Sequence, residues 1–308
     1  MSEAQYIRSV SDLLTFLAEQ EKTRCDSIAE LIRNGKQVEA ANERANKWIY
    51  RGQSKPVSNP KYRLIPSVGR TDFANRIPFV EFARLEQRAH DIFRKQIIAN
   101  TNPVPRGAWE VLALAQHHGV PTRFMDWTSN PLVALYFAVR NPAHDKKPNK
   151  SDTASAIYIL IHPTLSYEDL VENTRSESQK QMSDSIEIKR GRNNQIQERQ
   201  MKALLKMEEV LPFEISENVI YDPPHVSPRI RAQDGLLLAF HNPVEELPES
   251  NYIELLIPGE CRDRIRRELE VYGVFDKQLF PDLDGLAKWL KFKVFDSFEI
   301  TGEIPSQD

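Results

Sequence analysis

Cysteine is nearly absent: the 308 residues contain two, Cys25 and Cys261. Thiols so far apart build neither a disulfide framework nor a zinc cluster, and the expected setting is a reducing cytoplasm. Glycine is scarce as well, at 11 residues. None of these forms the G-x-G-x-x-G of a dinucleotide fold, the G-x-x-x-x-G-K-[ST] of a phosphate loop or the G-x-S-x-G of a nucleophile elbow. There is no H-E-x-x-H, and the adjacent His117 and His118 point differently, so no metal site is expected. No apolar run approaches ~18 residues, so no membrane span is expected, and the first ten residues lack the pattern of a secretory signal. A surplus of one charge is also missing. Forty-one basic and 44 acidic residues leave a net charge of -3, which argues against a general nucleic-acid coat protein but leaves room for a local basic groove.

What is present is enough apolar material for a core: 40% of residues are hydrophobic and 28% are charged. Residues 9–34 read as a helix, with Ser9 and Asp12 at capping-box spacing and Val10, Leu13, Leu14 and Leu17 on one stripe. Residues 47–52 read as a short strand ending in a glycine turn, and 53–77 as loop. Residues 79–98, 108–116 and 130–139 read as helices, the last nearly all apolar and so buried. Strands are expected at 155–161, 235–240 and 252–257, and closing helices at 261–273 and 283–292. Between 163 and 227 the chain is polar and charged, with a basic segment at 187–202 that could steer a polyanion. Strands and helices mix without the regular alternation of a doubly wound fold, so the expected class is α+β. The expected division is an N-terminal helical arm (1–46), one compact domain (47–292) and a C-terminal tail (293–308).

Three regions could carry chemistry. In the first, Tyr50-Arg51-Gly52-Gln53, an arginine at a strand end can present its fork to a phosphate or make a structural ion pair, and Gly52 permits a close approach. In the second, residues 116–130, His117, Arg123, Asp126, Trp127, Thr128 and Ser129 are squeezed between apolar helices, where polar groups need partners. Arg123 and Asp126 could pair with each other. Asn130 and Pro131 read as an ordinary helix start. In the third, Gln233 precedes a strand and could bond a ligand. Glu254 lies in an apolar strand, either on its solvent face or turned into a site.

The segments Tyr50–Gln53, 116–139, 229–237 and 279–287, in this order, resemble the FRG-domain family over about residues 47–290. A more distant resemblance is to ADP-ribosyltransferases of the arginine-serine-glutamate type. Arg51-Gly52 is similar to their first element, and Trp127-Thr128-Ser129 with the following helix to their second. Glu254 is similar to their late-strand glutamate, although Trp127 stands where the first serine would be and no second glutamate precedes Glu254. Gln233 is the other candidate for the third element, and a site built on it would lack a carboxylate.

The resemblance implies an ADP-ribosyltransferase-like domain that uses NAD as substrate. Arg51, Thr128 and Glu254 would do the chemistry. Tyr50, Gly52, Gln53, His117, Arg123, Asp126, Trp127, Ser129, Tyr136 and Gln233 would surround the NAD. The implied acceptor is a macromolecule (RNA, DNA or protein). Such an enzyme would be a toxin or phage-defence effector with a neutralising antitoxin partner. The alternative is a module that senses a nucleotide or nucleic acid in the same pocket without catalysis.

Overall fold

The computed structural model describes residues 5–99, 101, 104–140, 154–162, 164–176, 210–224, 228–296 and 298. The basic 187–202 segment and most of the expected C-terminal tail lie outside the described residues.

The chain begins with β1 (Gln5–Tyr6), α1 (Val10–Arg33), α2 (Gln37–Ala45) and β2 (Ile49–Gln53). Then come α3 (Phe79–Gln96), α4 (Ala108–His117), β3 (Phe124–Thr128), α5 (Pro131–Val139), β4 (Ser155–Leu160) and β5 (Leu165–Ser166). A helix at 167–176, α6, leads towards β6 (Val219–Tyr221), α7 (Pro228–Ala232) and β7 (Gly235–Ala239). The chain closes with β8 (Tyr252–Ile257), α8 (Arg262–Val271), α9 (Asp276–Leu279) and α10 (Leu283–Leu290). The strands form one sheet in the order β1-β8-β4-β2-β3-β7-β6-β5, mostly antiparallel. The fold is therefore mixed helix and strand around one open sheet, compatible with α+β.

Local signals explain several elements. Ser9 caps α1, its hydroxyl accepting from the Asp12 amide at 3.1 Å, which satisfies one of the orphan donors of the first turn. Asn130 does the same for α5, accepting from the Leu132 amide at 3.0 Å, with Pro131 in the first turn. Every residue of β4 is buried, because the strand lies inside the sheet with both faces covered.

The N-terminal segment is built into the domain and does not stand off as an arm. β1 pairs with the β8 edge, and Ile7, Val10, Leu13 and Phe16 join α5, α8 and the central strands in the largest core cluster. The expected stripe is adjusted accordingly: Phe16 is buried, while Leu14 is 39% exposed. A second cluster, with Met125, Trp127, Tyr158 and Tyr252, covers the other face of the sheet.

Gly52 fixes how α5 sits on β2. A Cβ there would lie 1.8 Å from the Ala134 carbonyl oxygen and 2.7 Å from the Ala138 nitrogen, both backbone atoms of α5. The close approach anticipated for this glycine is therefore to a helix. Gly52→Ala must push the helix off the strand, and a loss of about 2–3 kcal/mol is expected in urea unfolding. A midpoint within error of wild type would show that the strand and helix are not packed this way.

Candidate functional site

The sheet is split in the middle. β2 pairs with β4 along its whole length and β3 pairs with β7 along its whole length, but β2 and β3 meet only at Tyr50 and Thr128. Beyond that pair the two half-sheets part. Arg51, which a continued ladder would set opposite Trp127, instead reaches across with its Nη1 and donates to the Asp126 carbonyl. The gap opens into a cleft of about 430 Å³, lined among others by Tyr50, Arg51, Gln53, His117, Asp126, Trp127, Thr128 and Gln233.

The cleft floor is short of acceptors. Among the described residues, Arg51 Nε, Gln53 Nε2 and Trp127 Nε1 are buried without a hydrogen-bond partner. Gln53 is 6% exposed and Trp127 3%, so neither donor is relieved by bulk solvent. Three orphaned donors on neighbouring residues fit a ligand rich in oxygen.

The charge balance points the same way. Among the described residues four arginines line the cleft, Arg51, Arg70, Arg140 and Arg229, against one carboxylate, Asp126. Burial makes the charge on Arg51 harder to hold, and Arg70 adds to the strain while Asp126 opposes it. Burial and the neighbouring Arg229 do the same to Arg140. Guanidinium stays protonated in spite of this, and an anion in the cleft would relieve the cost. His117 is held below the ordinary histidine range, first by burial and then by His118 and Arg229, with Asp126 opposing. Its imidazole is therefore neutral near pH 7 and can accept a proton.

Residues 46–147 match the family model of the FRG domain. This chain carries an FRG domain. The match takes in β2, α3, α4, β3 and α5, and so both lips of the split, but it stops before β4. The remaining strands of the sheet, and Gln233 in the cleft, lie outside it. No curated protein and no solved structure matches the chain.

The cleft brings most of the expected residues together, all but Gln233 from within the FRG match. Tyr50, Arg51, Gly52, Gln53, His117, Asp126, Trp127, Thr128 and Gln233 all line the one cleft. Two of them are already engaged. The Thr128 hydroxyl donates to the Gln233 carbonyl at 2.7 Å and accepts from the Asn130 amide at 3.1 Å. The Gln233 amide donates to the Leu279 carbonyl at 3.0 Å. Both fasten the turn before β7 and shape the cleft wall.

Four expected residues do not line the cleft. Arg123 is 0% exposed and pairs with Glu86 at 2.6 Å, not with Asp126; it also donates to the carbonyls of Pro212 and Phe240. Ser129 is exposed, its amide bound to the Asp234 carbonyl. Tyr136 is buried in the core against Phe137, and it is Phe137 that faces the cleft. Glu254 is the main correction. β4 lies between β2 and β8, which puts Glu254 two strand spacings, roughly 10 Å, from Arg51. Tyr158 stands between them in register and donates to Glu254 at 2.8 Å. Burial and this carboxylate push the Tyr158 hydroxyl up. Glu254 is half-buried on the Tyr158–Tyr252 face and not on a solvent face.

The structure adds Tyr62, Arg70, Gln116, Phe137, Arg140 and Arg229 to the cleft. The Thr122 hydroxyl donates to Gln116 Oε1, which turns the Gln116 amide nitrogen towards Asp126, 3.4 Å away. Arg229 sat in a stretch already singled out and Arg140 just past the end of another, but nothing local distinguishes an arginine at a helix end from a solvated one. Among the described residues, no group of three or more His, Cys, Asp or Glu is placed to hold a metal ion. No described helix is long and apolar enough to cross a membrane.

Proposed function

We propose that the cleft binds NAD and that the protein transfers ADP-ribose from it to a macromolecule. The observation that carries this reading is the meeting, at one split in the sheet, of orphaned donors, four guanidiniums and, among the described residues, a single carboxylate. Arg51, Gln53 and Trp127 would hold phosphate and ribose oxygens, and Tyr50 and Phe137 would offer ring faces. In the transfer step the bond between ribose C1′ and nicotinamide nitrogen breaks, and nicotinamide leaves neutral with the bonding pair. The positive charge left on the ribose needs a fixed negative group. Asp126 takes that part in place of Glu254. The acceptor's nucleophile then bonds to C1′, and its proton passes to neutral His117.

Incubation with labelled NAD and cell extract, followed by separation of RNA, DNA and protein, tests the reading directly. Label in none of the three, with nicotinamide not released, would overturn it. An enzyme that consumes NAD endangers its own cell, so a neutralising partner and a toxin or defence role belong to the same proposal.

A second reading is a nucleotide sensor without turnover. It is favoured by one observation: the Thr128 hydroxyl and the Gln233 amide are committed to the protein. NAD binding without nicotinamide release would select it.

Arg51→Ala is expected to weaken NAD binding by ~10- to 100-fold in calorimetry, because it removes charge-assisted bonds to phosphate. Its cost in stability should be only about 1 kcal/mol, for the lost bond to the Asp126 carbonyl. Arg51→Lys should not restore binding, since a point charge lacks the fork. Wild-type affinity in the lysine variant would reduce Arg51 to a general positive charge.

A further inference from the structure

We infer that the surface from the Arg140–Arg229 corner of the cleft across α9 and α10 is a docking strip for the phosphate backbone of a single-stranded nucleic acid. The inference deepens the transferase reading and rests on it, by naming the class of the acceptor.

The strip is built from cations held on aromatic faces. Around Phe280, the Arg229 guanidinium lies 4.7 Å from the ring centroid, that of Arg140 5.5 Å and the Lys288 ammonium 5.6 Å. Around Trp289, Lys277 lies at 5.4 Å and Lys293 at 5.2 Å. A ring quadrupole orients a cation without cancelling its charge. These five groups are therefore positioned and still positive.

Their carboxylate neighbours are otherwise occupied. Asp276, whose field reaches Arg140, is paired with Arg266 at 3.0 Å. Glu270 accepts from the Trp289 indole at 2.9 Å, and Asp282 caps α10 through the Gly285 amide at 2.7 Å. Asp284 is exposed on α10. Among the described residues, no hydrogen bond or ion pair holds the guanidinium of Arg140 or Arg229, although Arg140 is half-buried.

A row of oriented cations that no ion pair among the described residues holds, leading into a cleft that shows Phe137 and Tyr62, fits a chain with charge on the outside and flat rings within. A single-stranded polynucleotide has that form. An acidic peptide offers the charge without the rings.

The test is fluorescence anisotropy of a ~12-nucleotide single-stranded RNA on the full chain over a salt series. The variants are Lys277→Gln/Lys288→Gln/Lys293→Gln, which changes only lysines outside the cleft, and Arg229→Gln. The wild type should bind. The triple variant should lose ~10-fold or more in affinity, and its slope of log K against log salt should flatten by about 2, from three lost phosphate contacts. Arg229→Gln should lose affinity for the RNA as well. NAD affinity of the triple variant, measured by calorimetry, should be unchanged, and its melting temperature serves as the check on folding.

No binding by the wild type overturns the inference. So does an unchanged salt slope in the triple variant, or a loss of NAD affinity that matches the loss for RNA, which would assign the cations to the NAD phosphates. Polyglutamate binding as tightly as the RNA overturns it in favour of an acidic protein. A wild type that binds RNA but not NAD upholds the strip and sinks the NAD reading instead.

Discussion

Arg123→Met will unfold the protein at a markedly lower urea concentration, with a loss of about 3–5 kcal/mol. The guanidinium is wholly buried and the Glu86 side chain is 3% exposed, so removing one partner leaves a carboxylate in the interior with nothing to balance it. Two backbone carbonyls, those of Pro212 and Phe240, lose their donor at the same time. The double variant Glu86→Leu/Arg123→Met removes the stranded charge and should recover much of the loss, because a buried pair is often replaceable by apolar residues of similar size. The recovery will be partial, since the two carbonyls stay unpaired. NAD affinity should follow folding and return with it. An Arg123→Met variant that melts like wild type but no longer binds NAD would place Arg123 in the site after all.

The same residue marks the limit of what the sequence discloses. Arg123 and Asp126 are three residues apart and oppositely charged, which invited pairing them. Asp126 lies on a five-residue strand, β3, which Arg123 immediately precedes; the strand went unread because Phe-Met-Asp-Trp-Thr is short and carries an aspartate at its centre. Once the strand is in place, Asp126 is exposed to the cleft and Arg123 is directed into the interior.

Local features were legible. Ser9 and Asn130 cap their helices as their spacing implied, because caps are set by two or three neighbouring residues. The joining of Arg51 with the 117–129 segment was legible in part, because both interrupt apolar elements with polar groups that need partners: His117, Asp126, Trp127 and Thr128 share its cleft, and Arg123 and Ser129 do not. Strand order was not. Nothing in residues 252–257 tells that β4 will lie between Glu254 and Arg51, and nothing in residues 5–6 tells that they will pair with β8. The placing of Glu254 and Gln233 was a question of strand order: β7, which follows Gln233, borders β3, and β8 does not.

Asp126→Asn is expected to reduce ADP-ribosyl transfer by ~100-fold or more while leaving NAD binding close to wild type. The reasoning follows from position. Glu254 is some two strands away and holds the Tyr158 hydroxyl, and Asp126 is the carboxylate that lines the cleft. A fixed negative group facing a developing ribose cation is worth ~3 kcal/mol of barrier, on the scale of other preorganised electrostatic contributors. Asparagine keeps the shape and can still accept from Gln116, so the wall of the cleft should survive. It loses the charge, which acts in the transition state far more than in the bound ground state, so turnover falls and affinity does not. Glu254→Gln is the matched control. Glutamine can accept from Tyr158 as glutamate does, so turnover should stay within ~2-fold of wild type and stability within ~1 kcal/mol. Measured single-turnover rates decide between them. If Glu254→Gln is dead and Asp126→Asn is active, charge must reach the ribose through the Tyr158–Glu254 pair, and the carboxylate assigned here is the wrong one. If both variants turn over normally, neither carboxylate is needed for the transfer, and the charge on the ribose is met by another group.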